Sequence, residues 1–324
     1  MENNRWKVVA VYKEAYRVVR NGNAMLTKVT GSFINNALRK SDFPAVGDWV
    51  YLNEGGLIEG VADRVNQLSR KSAGRRYEEQ IIAANIDIMF IVTSLNKEFN
   101  INKLGRYIIL AETNHITPVI LLTKADICDD PYGYVRKVSY YYPKVEVELV
   151  SAFNNVGIDF IYNKMEKGIS AVFVGTSGVG KSTLVNKLSG QNFMKTSHIR
   201  GDDKGRHTTT HRELFELENG SYIIDTPGIR EIGLWINDEN LSEFEDIYLL
   251  GRVCKYRNCK HINESECAVK QAVKMGDLPE DRYNSYVKMT REIYYSKLGQ
   301  DEGERLRFKS RVKRMSKNER YNRH

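Results

Sequence analysis

One glycine-rich segment of this chain has the residue types and spacing of a phosphate-binding loop. It fits the pattern G-x-x-x-x-G-K-S/T over Gly175, Thr176, Ser177, Gly178, Val179, Gly180, Lys181 and Ser182. Glycines let backbone N–H groups turn toward phosphate oxygens, at the positive end of the helix that follows. The pattern predicts that Lys181 neutralises β- and γ-phosphate charge and that the Ser182 hydroxyl binds Mg²⁺.

A second segment, Thr123-Lys124-Ala125-Asp126, has the residues that recognise guanine; we call it the base segment. The Asp126 carboxylate is expected to accept hydrogen bonds from N1 and N2 of guanine, a pair that adenine does not offer. Lys124 is expected to lie along the base. Ser151 and Ala152, at the end of the next predicted strand, are expected to back it. The predicted nucleotide is therefore GTP, and an ATP-dependent P-loop kinase is disfavoured.

The base segment departs from the usual pattern at its first residue, which is Thr123 where most GTPases have asparagine. A hydroxyl makes fewer hydrogen bonds than an amide. We therefore expect a weaker nucleotide affinity and an unchanged nucleotide identity.

Two further segments have the pattern of GTPase switches. In Asp225-Thr226-Pro227-Gly228, the Asp225 carboxylate is predicted to hold Mg²⁺ through water and the Gly228 N–H to sense the γ-phosphate. Residues 205–211 lie between this segment and the phosphate loop and predict a mobile first switch. One threonine of that switch is expected to close onto Mg²⁺, with Thr209 or Thr210 preferred.

Hydrolysis needs a group that orients the attacking water. Many regulatory GTPases carry glutamine after the second switch motif, but this chain has Ile229. Intrinsic hydrolysis is therefore predicted to be slow unless another group replaces the glutamine. His207, in the first switch, is the internal candidate because a histidine transfers protons near neutral pH. A solvated loop histidine is the alternative.

The order of these segments along the chain is rotated. In an ordinary GTPase the base segment comes last, whereas here it precedes both the phosphate loop and the second switch. A predicted helix, Ile158–Met165, runs through Glu166–Gly168 into the strand of the phosphate loop, where the ordinary termini would be joined. The sequence therefore predicts a circularly permuted GTPase, whose second switch leads directly into the C-terminal region.

Three of the four cysteines lie close together with a histidine, as Cys254, Cys259, His261 and Cys267. Three thiolates and one imidazole form a closed tetrahedral set for structural Zn²⁺, with no open position for catalysis. The alternative is a set of free thiols packed in a small helical domain. Cys128 lies elsewhere and is expected to be a small buried hydrophobic residue.

The elements that precede the nucleotide motifs predict a small barrel or sandwich over residues 1–70. Short runs rich in β-branched and aromatic residues are separated by glycines, and they are Trp6–Tyr12, Tyr16–Arg20, Ala24–Thr30, Asp48–Leu52 and Leu57–Val65. The length fits an OB-type β-barrel, and an SH3-like barrel is the alternative. The basic residues at 70, 71, 75 and 76 form either a solvated linker or an RNA contact.

Residues 71–235 are predicted to form the α/β GTPase domain. The predicted strands are Ile86–Thr93, Val119–Thr123, Val145–Val150, Ala171–Gly175, Leu214–Leu217 and Tyr222–Asp225, with helices at Ile101–Thr113 and Ile158–Met165. Alternating strands and helices are typical of crossover connections, which place the loops after successive parallel strands at one edge of the sheet. We therefore expect the nucleotide motifs to meet there.

Residues 236–324 are predicted to form a zinc-binding helical domain with a basic C-terminal helix. The chain has a net charge of +8, and residues 304–324 hold nine Lys or Arg against two Glu. A concentrated excess of this kind predicts a polyanion partner, nucleic acid in preference to a membrane. Phe308, Val312 and Met315 form a narrow apolar stripe, which by itself indicates docking on the protein's own core. A calmodulin-like or membrane-surface helix fits the same pattern.

The composition also indicates a compartment. No secretory signal is apparent in Met1–Arg20, and no apolar run approaches the roughly 18 residues that span a bilayer. Four cysteines in 324 residues do not form a disulfide scaffold. We expect a cytoplasmic monomer that does not bind membranes.

Together these motifs resemble those of the ribosome small-subunit-dependent GTPase A family (RsgA, also called YjeQ), over the whole chain. The resemblance implies an OB-fold, a permuted GTPase and a zinc domain, with metal ligands at the four Cys and His positions given above. It implies nucleotide contacts at 123–126 and at 175–183, a range that adds Thr183. It also implies hydrolysis of GTP to GDP late in maturation of the small (30S) ribosomal subunit, with binding to 16S rRNA and stimulation by that subunit.

The rotated order adds a mechanical hypothesis, and two rival functions stay open beside it. Closure on the γ-phosphate is expected to reorient the zinc domain and basic tail against the barrel, as an RNA clamp timed by GTP.

One rival function is that of a permuted GTPase that matures the large subunit. Binding to isolated small and large subunits would distinguish the two. The other is a non-enzymatic RNA-binding or chaperone protein that uses GTP as an ordering ligand, which multiple turnover with ribosomal particles would exclude.

Overall fold

A computed structural model describes residues 5–71, 79–96, 99–190, 212–225, 244–256, 258–262, 264–295 and 298. The chain divides into two compact units. The first contains Met1–Leu68 and Ile81–Ile232, and the second contains Ser69–Gln80 and Gly233–His324. The barrel and the α/β sheet, predicted as separate domains, thus lie in one unit, and the domain boundaries at residues 70 and 235 stay predictions.

The N-terminal strands of the first unit form a barrel. They are β1 (Arg5–Val11), β2 (Tyr16–Arg20), β3 (Asn23–Thr27), β4 (Trp49–Leu52) and β5 (Ile58–Val61), with helix α1 (Gly31–Asn36) between β3 and β4. β1 pairs antiparallel with β2 and β4, β2 pairs with β3, and β4 pairs with β5. The Ile58 N–H donates to the Lys28 carbonyl at 2.8 Å, which brings the chain after β3 against β5. This contact closes the barrel, and the predicted OB-type barrel is confirmed.

Two barrel strands are shorter than predicted, since β3 ends at Thr27 and β5 covers only Ile58–Val61. After β3 the chain turns into α1, where the Thr30 hydroxyl accepts a hydrogen bond from the Phe33 N–H at 3.1 Å. This N-cap stabilises the start of a helix by about 1 kcal/mol and competes with a longer strand. Beyond the barrel, β6 (Gln67–Lys71) and β7 (Glu79–Ala84) form a separate two-stranded sheet that the sequence did not predict.

The rest of the first unit is an α/β sheet. Its strands are β8 (Ile88–Ser94), β9 (Thr117–Thr123), β10 (Glu146–Val150), β11 (Ser170–Val174), β12 (Arg212–Glu216) and β13 (Tyr222–Asp225). The helices are α2 (Ile101–Thr113), α3 (Pro131–Tyr141), α4 (Ile158–Lys164) and α5 (Lys181–Ser189). The predicted α/β class is confirmed; α3 was not predicted.

The strands lie in the order β10-β9-β8-β11-β13-β12. β8, β9, β10, β11 and β13 are parallel, and β12 pairs antiparallel with β13. In this sheet, β13 and β12 lie on one side of β11. On its other side lie β8, β9 and β10, in that order outward from β11. This is a doubly wound sheet that switches direction beside β11. The chain nevertheless enters β11 from β10 through α4, so the predicted circular permutation is confirmed.

The barrel and the α/β sheet share hydrogen-bonded strands. β12 pairs antiparallel with β1, with Ala10 opposite Glu213 and Val11 opposite Arg212. Within the described residues, eleven strands belong to this one continuous sheet. Lys7 of β1 is buried at the same junction, where its Nζ donates to Ser170 Oγ at 3.2 Å. The barrel is therefore an extension of the α/β sheet.

The local sequence explains the best-defined elements of the sheet. Every residue of β8 is buried, as expected for a parallel strand covered on both faces. α2 has the bounds that were predicted, because the Asn100 side chain accepts hydrogen bonds from the Asn102 and Lys103 N–H groups at 3.0 and 3.2 Å. In the core, the Phe90 and Phe173 rings pack at a centroid distance of 4.9 Å.

The described part of the second unit is mostly helical, as predicted. Its helices are α6 (Glu245–Gly251), α7 (Ala268–Met275) and α8 at residues 280–295. Arg282 of α8 donates from Nε and Nη2 to the Asp246 carboxylate of α6 at 2.6 and 2.8 Å. The predicted basic helix at 304–324 lies outside the described residues. None of the helices in the described ranges has both the length and the apolar character needed to cross a bilayer.

Candidate functional site

The phosphate loop connects β11 to α5. β11 ends at Val174, and α5 begins at Lys181 with Gly180 as its N-cap at φ +99°. Gly175 has φ +144°, and a Cβ there would collide with the Val92 carbonyl of the neighbouring strand β8. The first glycine of the pattern is therefore required by a close backbone approach that fixes the path of the loop.

The residues of the loop divide between a buried anchor and an exposed tip. Val179 is buried, whereas Ser177–Gly178 is exposed. The Lys181 Nζ donates to the carbonyls of Gly175 at 2.8 Å and Thr176 at 2.6 Å, which holds the ammonium group against the loop. A held cation beside the first turn of a helix favours binding of a phosphate group.

Thr123 connects the base segment directly to the phosphate loop. It is the last residue of β9 and is buried, and its hydroxyl donates to the Val179 carbonyl at 2.6 Å. The Thr93 carbonyl lies 3.2 Å from the same hydroxyl. A hydroxyl carries one proton, so the shorter contact dominates. The residue that replaces the usual asparagine therefore still joins the two segments.

The rest of the base segment forms the turn after β9. Lys124 has left-handed backbone angles, φ +61° and ψ +34°, and Ala125–Ile127 is a 3-10 turn. Left-handed geometry costs a non-glycine residue about 1–2 kcal/mol, and such strain is concentrated at functional sites. Lys124 is half-buried, while Asp126 is exposed at the edge of the sheet. The Asp126 carboxylate is thus accessible to a ligand.

Ser151 and Ala152 follow β10. The Ser151 N–H donates to the Val156 carbonyl at 3.0 Å, and its hydroxyl accepts from the Asn154 N–H at 3.1 Å. Ser151 is buried, and Ala152 packs against the apolar core of the sheet. A Cβ on Gly157 would collide with the Leu149 carbonyl, so the loop returns close to β10. The hydrogen bonds hold these residues beside the end of the strand.

The predicted nucleotide residues meet at one edge of the sheet. Because β8 to β11 and β13 are parallel, their carboxyl ends lie together, where open α/β sheets bind ligands. Val150 lies opposite Thr123 in the register, and Asp225 ends β13, which pairs with β11. Ser182, half-buried, and Thr183, exposed, begin α5 at this edge. The base segment, the phosphate loop and the end of the second-switch strand are thus brought together.

Four predicted site residues lie outside the described residues, namely His207, Thr209, Thr210 and Gly228. The expected roles of these residues stay predictions, as does the slow intrinsic hydrolysis expected from Ile229.

The four predicted metal ligands lie together in the second unit. The ligand atoms of Cys254, Cys259, His261 and Cys267 are all within 4.8 Å of one another. His261 Nδ1 is 3.5 Å from Cys254 Sγ and 3.4 Å from Cys267 Sγ, and these two sulfurs are 3.9 Å apart. Neighbouring donors around a tetrahedral zinc ion are about 3.5–3.8 Å apart, from typical Zn–N and Zn–S bond lengths. The cluster therefore fits a Cys₃His zinc site.

The surroundings of His261 were not indicated by the sequence. The Tyr283 hydroxyl donates to the His261 carbonyl at 2.6 Å, and Gly251 leaves space for the imidazole, since a Cβ there would lie 3.0 Å from Nε2. Burial lowers the pKa of His261, which favours the neutral ring that a metal requires. Tyr283 lies on α8, and no local pattern connects it to the cluster.

The sheet and its loops define a class of protein. A phosphate loop at the switch point of a doubly wound sheet, with the base segment earlier in the chain, defines a circularly permuted P-loop protein of the GTPase type. The chain belongs to the RsgA GTPase family, whose model matches residues 61–235.

Curated relatives match most of the chain. The "Small ribosomal subunit biogenesis GTPase RsgA 2" of Lactiplantibacillus plantarum is 40% identical over 297 residues, which cover 90% of this chain and 84% of the relative. The "Small ribosomal subunit biogenesis GTPase RsgA" of Methanosarcina acetivorans is 42% identical over 282 residues, which cover 85% of this chain and 76% of the relative.

Solved structures agree with the fold. The crystal structure of YjeQ from Thermotoga maritima has a TM-score of 0.66 and 29% identity, covering 90% of this chain and 98% of that one. The structure of YloQ, described as a circularly permuted GTPase, has a TM-score of 0.62 and 26% identity, covering 90% and 95% of the two chains.

Proposed function

We propose that this chain hydrolyses GTP to GDP and phosphate, acts in late maturation of the small (30S) ribosomal subunit, and is stimulated by that subunit. The names of the curated relatives support the subunit. The observation that carries the nucleotide site is the Thr123–Val179 hydrogen bond, which fastens the base segment to the phosphate loop. The hydrogen bond holds together two segments that are far apart in the chain.

In this proposal the backbone and the side chains of the site contact different parts of the nucleotide. The loop from Gly175 to Gly180 presents N–H groups to the phosphates, and Lys181 neutralises their charge. Asp126 accepts hydrogen bonds from guanine, with Lys124 along the base and Ser151–Ala152 behind it. Catalysis then depends on positioning and on charge stabilisation more than on covalent chemistry.

A bound Mg²⁺ would neutralise the negative charge that develops on the phosphate groups. Ser182, with Thr183 beside it, offers a hydroxyl at the start of α5, and Asp225 ends the strand next to the phosphate loop. Thr209 or Thr210 of the first switch would complete this set. These oxygen donors suit a hard cation, since Mg²⁺ prefers carboxylate, hydroxyl and water ligands.

The Cys₃His cluster is proposed to hold structural Zn²⁺. Its four donors fill a tetrahedral set, so no position is left for a substrate. The ligands come from the turn after α6, the following loop and the N-cap of α7. Binding of the ion would therefore tie these parts of the chain together.

His207 is proposed to orient the attacking water, because Ile229 stands where the glutamine of many GTPases would be. In His207→Ala, subunit-stimulated hydrolysis is expected to fall by about 10²–10⁴-fold, with GTP affinity nearly unchanged. Single-turnover rates with saturating small subunits measure the chemical step. A variant that keeps the parent rate would exclude the histidine from catalysis.

We also propose how hydrolysis is used. The chain runs from the second switch into the zinc-binding unit, so γ-phosphate binding is proposed to change the hold of that unit and of the basic segment 304–324 on 16S rRNA. The barrel, proposed as residues 1–70, is a further RNA contact, with the GTPase domain at 71–235 and the zinc domain at 236–324. A cytoplasmic monomer fits this role.

The deciding experiment is multiple-turnover GTP hydrolysis with purified small subunits, with large subunits and with neither. Stimulation by the small subunit alone is expected. Stimulation by large subunits would favour large-subunit assembly. Nucleotide binding without turnover in any of the three conditions would favour a non-enzymatic RNA-binding protein.

A further inference from the structure

Helix α3 presents aromatic and cationic side chains on one exposed face. Tyr132, Arg136 and Tyr140 follow one another at four-residue spacing, which places them along one side of a helix. Tyr132 is 66% exposed and Tyr140 is 74% exposed, and the Arg136 side chain is 73% exposed. Lys137 is exposed beside them. Two large aromatic side chains are thus exposed to solvent, although an exposed helix face needs only small polar residues.

The opposite face fixes the orientation of α3. Val138 is fully buried, and the Tyr134 ring meets the Phe99 ring edge-on at 4.9 Å. Just beyond the helix, the buried Tyr142 hydroxyl donates to the Ile101 carbonyl at the start of α2, at 2.7 Å. These contacts hold the helix against the sheet unit. The exposed Tyr140 ring packs edge-on against its chain neighbour Tyr141, with the ring centroids 5.4 Å apart, and most of its surface is left in solvent.

The charge of the exposed face favours a polyanion. Pro131–Tyr141 contains Arg136 and Lys137 and no acidic residue. Arg136 forms an ion pair with Asp130 at 3.6 Å, but both side chains are exposed. An exposed pair of this length contributes little, so the guanidinium can exchange it for a phosphate at small cost.

We propose that this face of α3 binds unpaired RNA of the small subunit, with Tyr132 and Tyr140 stacking on bases and Arg136 and Lys137 contacting phosphates. Aromatic side chains interleaved with cations suit single-stranded RNA, because every base offers a face to stack on and every linkage a negative charge. The inference rests on the proposed function, which supplies the ribosomal subunit as the RNA. It assigns a contact surface within the GTPase sheet unit, apart from the barrel and the basic C-terminal segment.

The stacking step is tested with the full chain and purified small subunits. Tyr132→Ala/Tyr140→Ala is expected to weaken subunit binding about tenfold or more, because base stacking is lost. Tyr132→Phe/Tyr140→Phe keeps the rings and is expected to bind within about twofold of the parent. Equal losses in both double variants, or none in the alanine variant, would overturn stacking. Far-UV circular dichroism checks that both variants keep the fold.

The phosphate contacts of Arg136 and Lys137 are tested separately, with a matched control. Arg136→Ala/Lys137→Ala is expected to lower the slope of log K against log salt by about 1.4, since each single-strand phosphate contact contributes about 0.7. Lys103→Ala removes an exposed cation from the neighbouring helix α2 and is expected to leave the slope unchanged. A slope unaltered in the α3 variant would contradict the phosphate contacts.

A benzophenone side chain at position 132 identifies the partner directly. Photo-crosslinking on the small subunit is expected to join it to rRNA. Crosslinks to a ribosomal protein, or none, would overturn the RNA assignment. These results can be distinguished from a failure of the proposed function. If the proposed function is wrong, small subunits will not stimulate GTP hydrolysis by the unaltered chain, whatever the α3 variants do.

Discussion

Removing one hydroxyl tests whether Thr123 joins the base segment to the phosphate loop. In Thr123→Val the side chain keeps its shape, but the hydrogen bond to the Val179 carbonyl at 2.6 Å is lost. Thr123 is only 4% exposed, so water has little access to replace the missing donor. The two segments would then be held together by strand pairing and packing alone.

The expected magnitude follows from the burial of this bond. A neutral intramolecular hydrogen bond contributes about 1 kcal/mol net, and leaving a buried acceptor poorly paired raises the cost. We therefore expect a loss of about 1–2 kcal/mol in the free energy of GTP binding, because nucleotide must now organise the pocket. That loss corresponds to about 5–30-fold weaker affinity.

The assay is a titration with a fluorescent guanine nucleotide. Thr117→Val is the matched control, since Thr117 is exposed at the other end of β9. It is expected to bind like the parent. Thr123→Asn, which restores the residue most GTPases have, is expected to bind at least as tightly as the parent because an amide offers more hydrogen bonds.

One result would refute this reasoning. If Thr123→Val binds GTP within twofold of the parent, and melts at the same temperature, then the hydroxyl does not organise the pocket. A loss of equal size in Thr117→Val would instead show a general effect of the substitution on the strand.

Three other perturbations have expected outcomes. Asp126→Asn should shift binding from GTP toward xanthosine triphosphate, measured as the ratio of the two dissociation constants, while Asp129→Asn nearby should not; unchanged GTP selectivity would remove Asp126 from the pocket. Zinc chelation, or Cys267→Ala, should unfold the second unit selectively, seen as lost helical circular dichroism and faster amide exchange in residues 264–295, whereas Cys128→Ala should not; an intact unit without metal would argue against the zinc site. Burial lowers the pKa of Lys7 from 10.5 to about 8. Between those pH values the unfolded chain binds the proton that the folded chain has lost, so stability should rise by up to about 3 kcal/mol from pH 8 to 10.5. In Lys7→Met that rise should be absent from tryptophan-monitored urea unfolding, and the same pH dependence in both proteins would contradict the buried charge.

Much of the site could be predicted because its signals are local. Gly175 needs glycine where its backbone meets a neighbouring strand, and Lys181 follows at a fixed spacing, so the loop can be recognised from contiguous residues. The bounds of α2 were predicted correctly since Asn100 caps it and apolar residues recur on one face. The metal cluster was predicted because cysteines are few and three are crowded together.

Other features could not be predicted, since they depend on distant partners. Nothing in the sequence of β1 indicates that its edge pairs with β12 near Ala10 and Val11. An apolar strand pattern says which face is buried but not which neighbour supplies the hydrogen bonds. Lys7 looks like a surface residue of an alternating strand, and it is buried because Ser170 of β11, Tyr222 of β13 and Trp49 of β4 approach it.

The sequence alone determined which residues can do chemistry in this protein: a phosphate-loop pattern, a carboxylate proposed to bind guanine, a Cys₃His set that fits zinc, and the rotated order in which they occur. Each of these needs only residue types at short spacing, or their order along one chain. The tertiary structure decided that Thr123 bonds to the phosphate loop, that the barrel extends the nucleotide-binding sheet, and that α3 turns Tyr132 and Tyr140 outward. Those outcomes depend on which strands pair and which faces are covered, and hydrophobic burial, being non-directional, does not specify them locally.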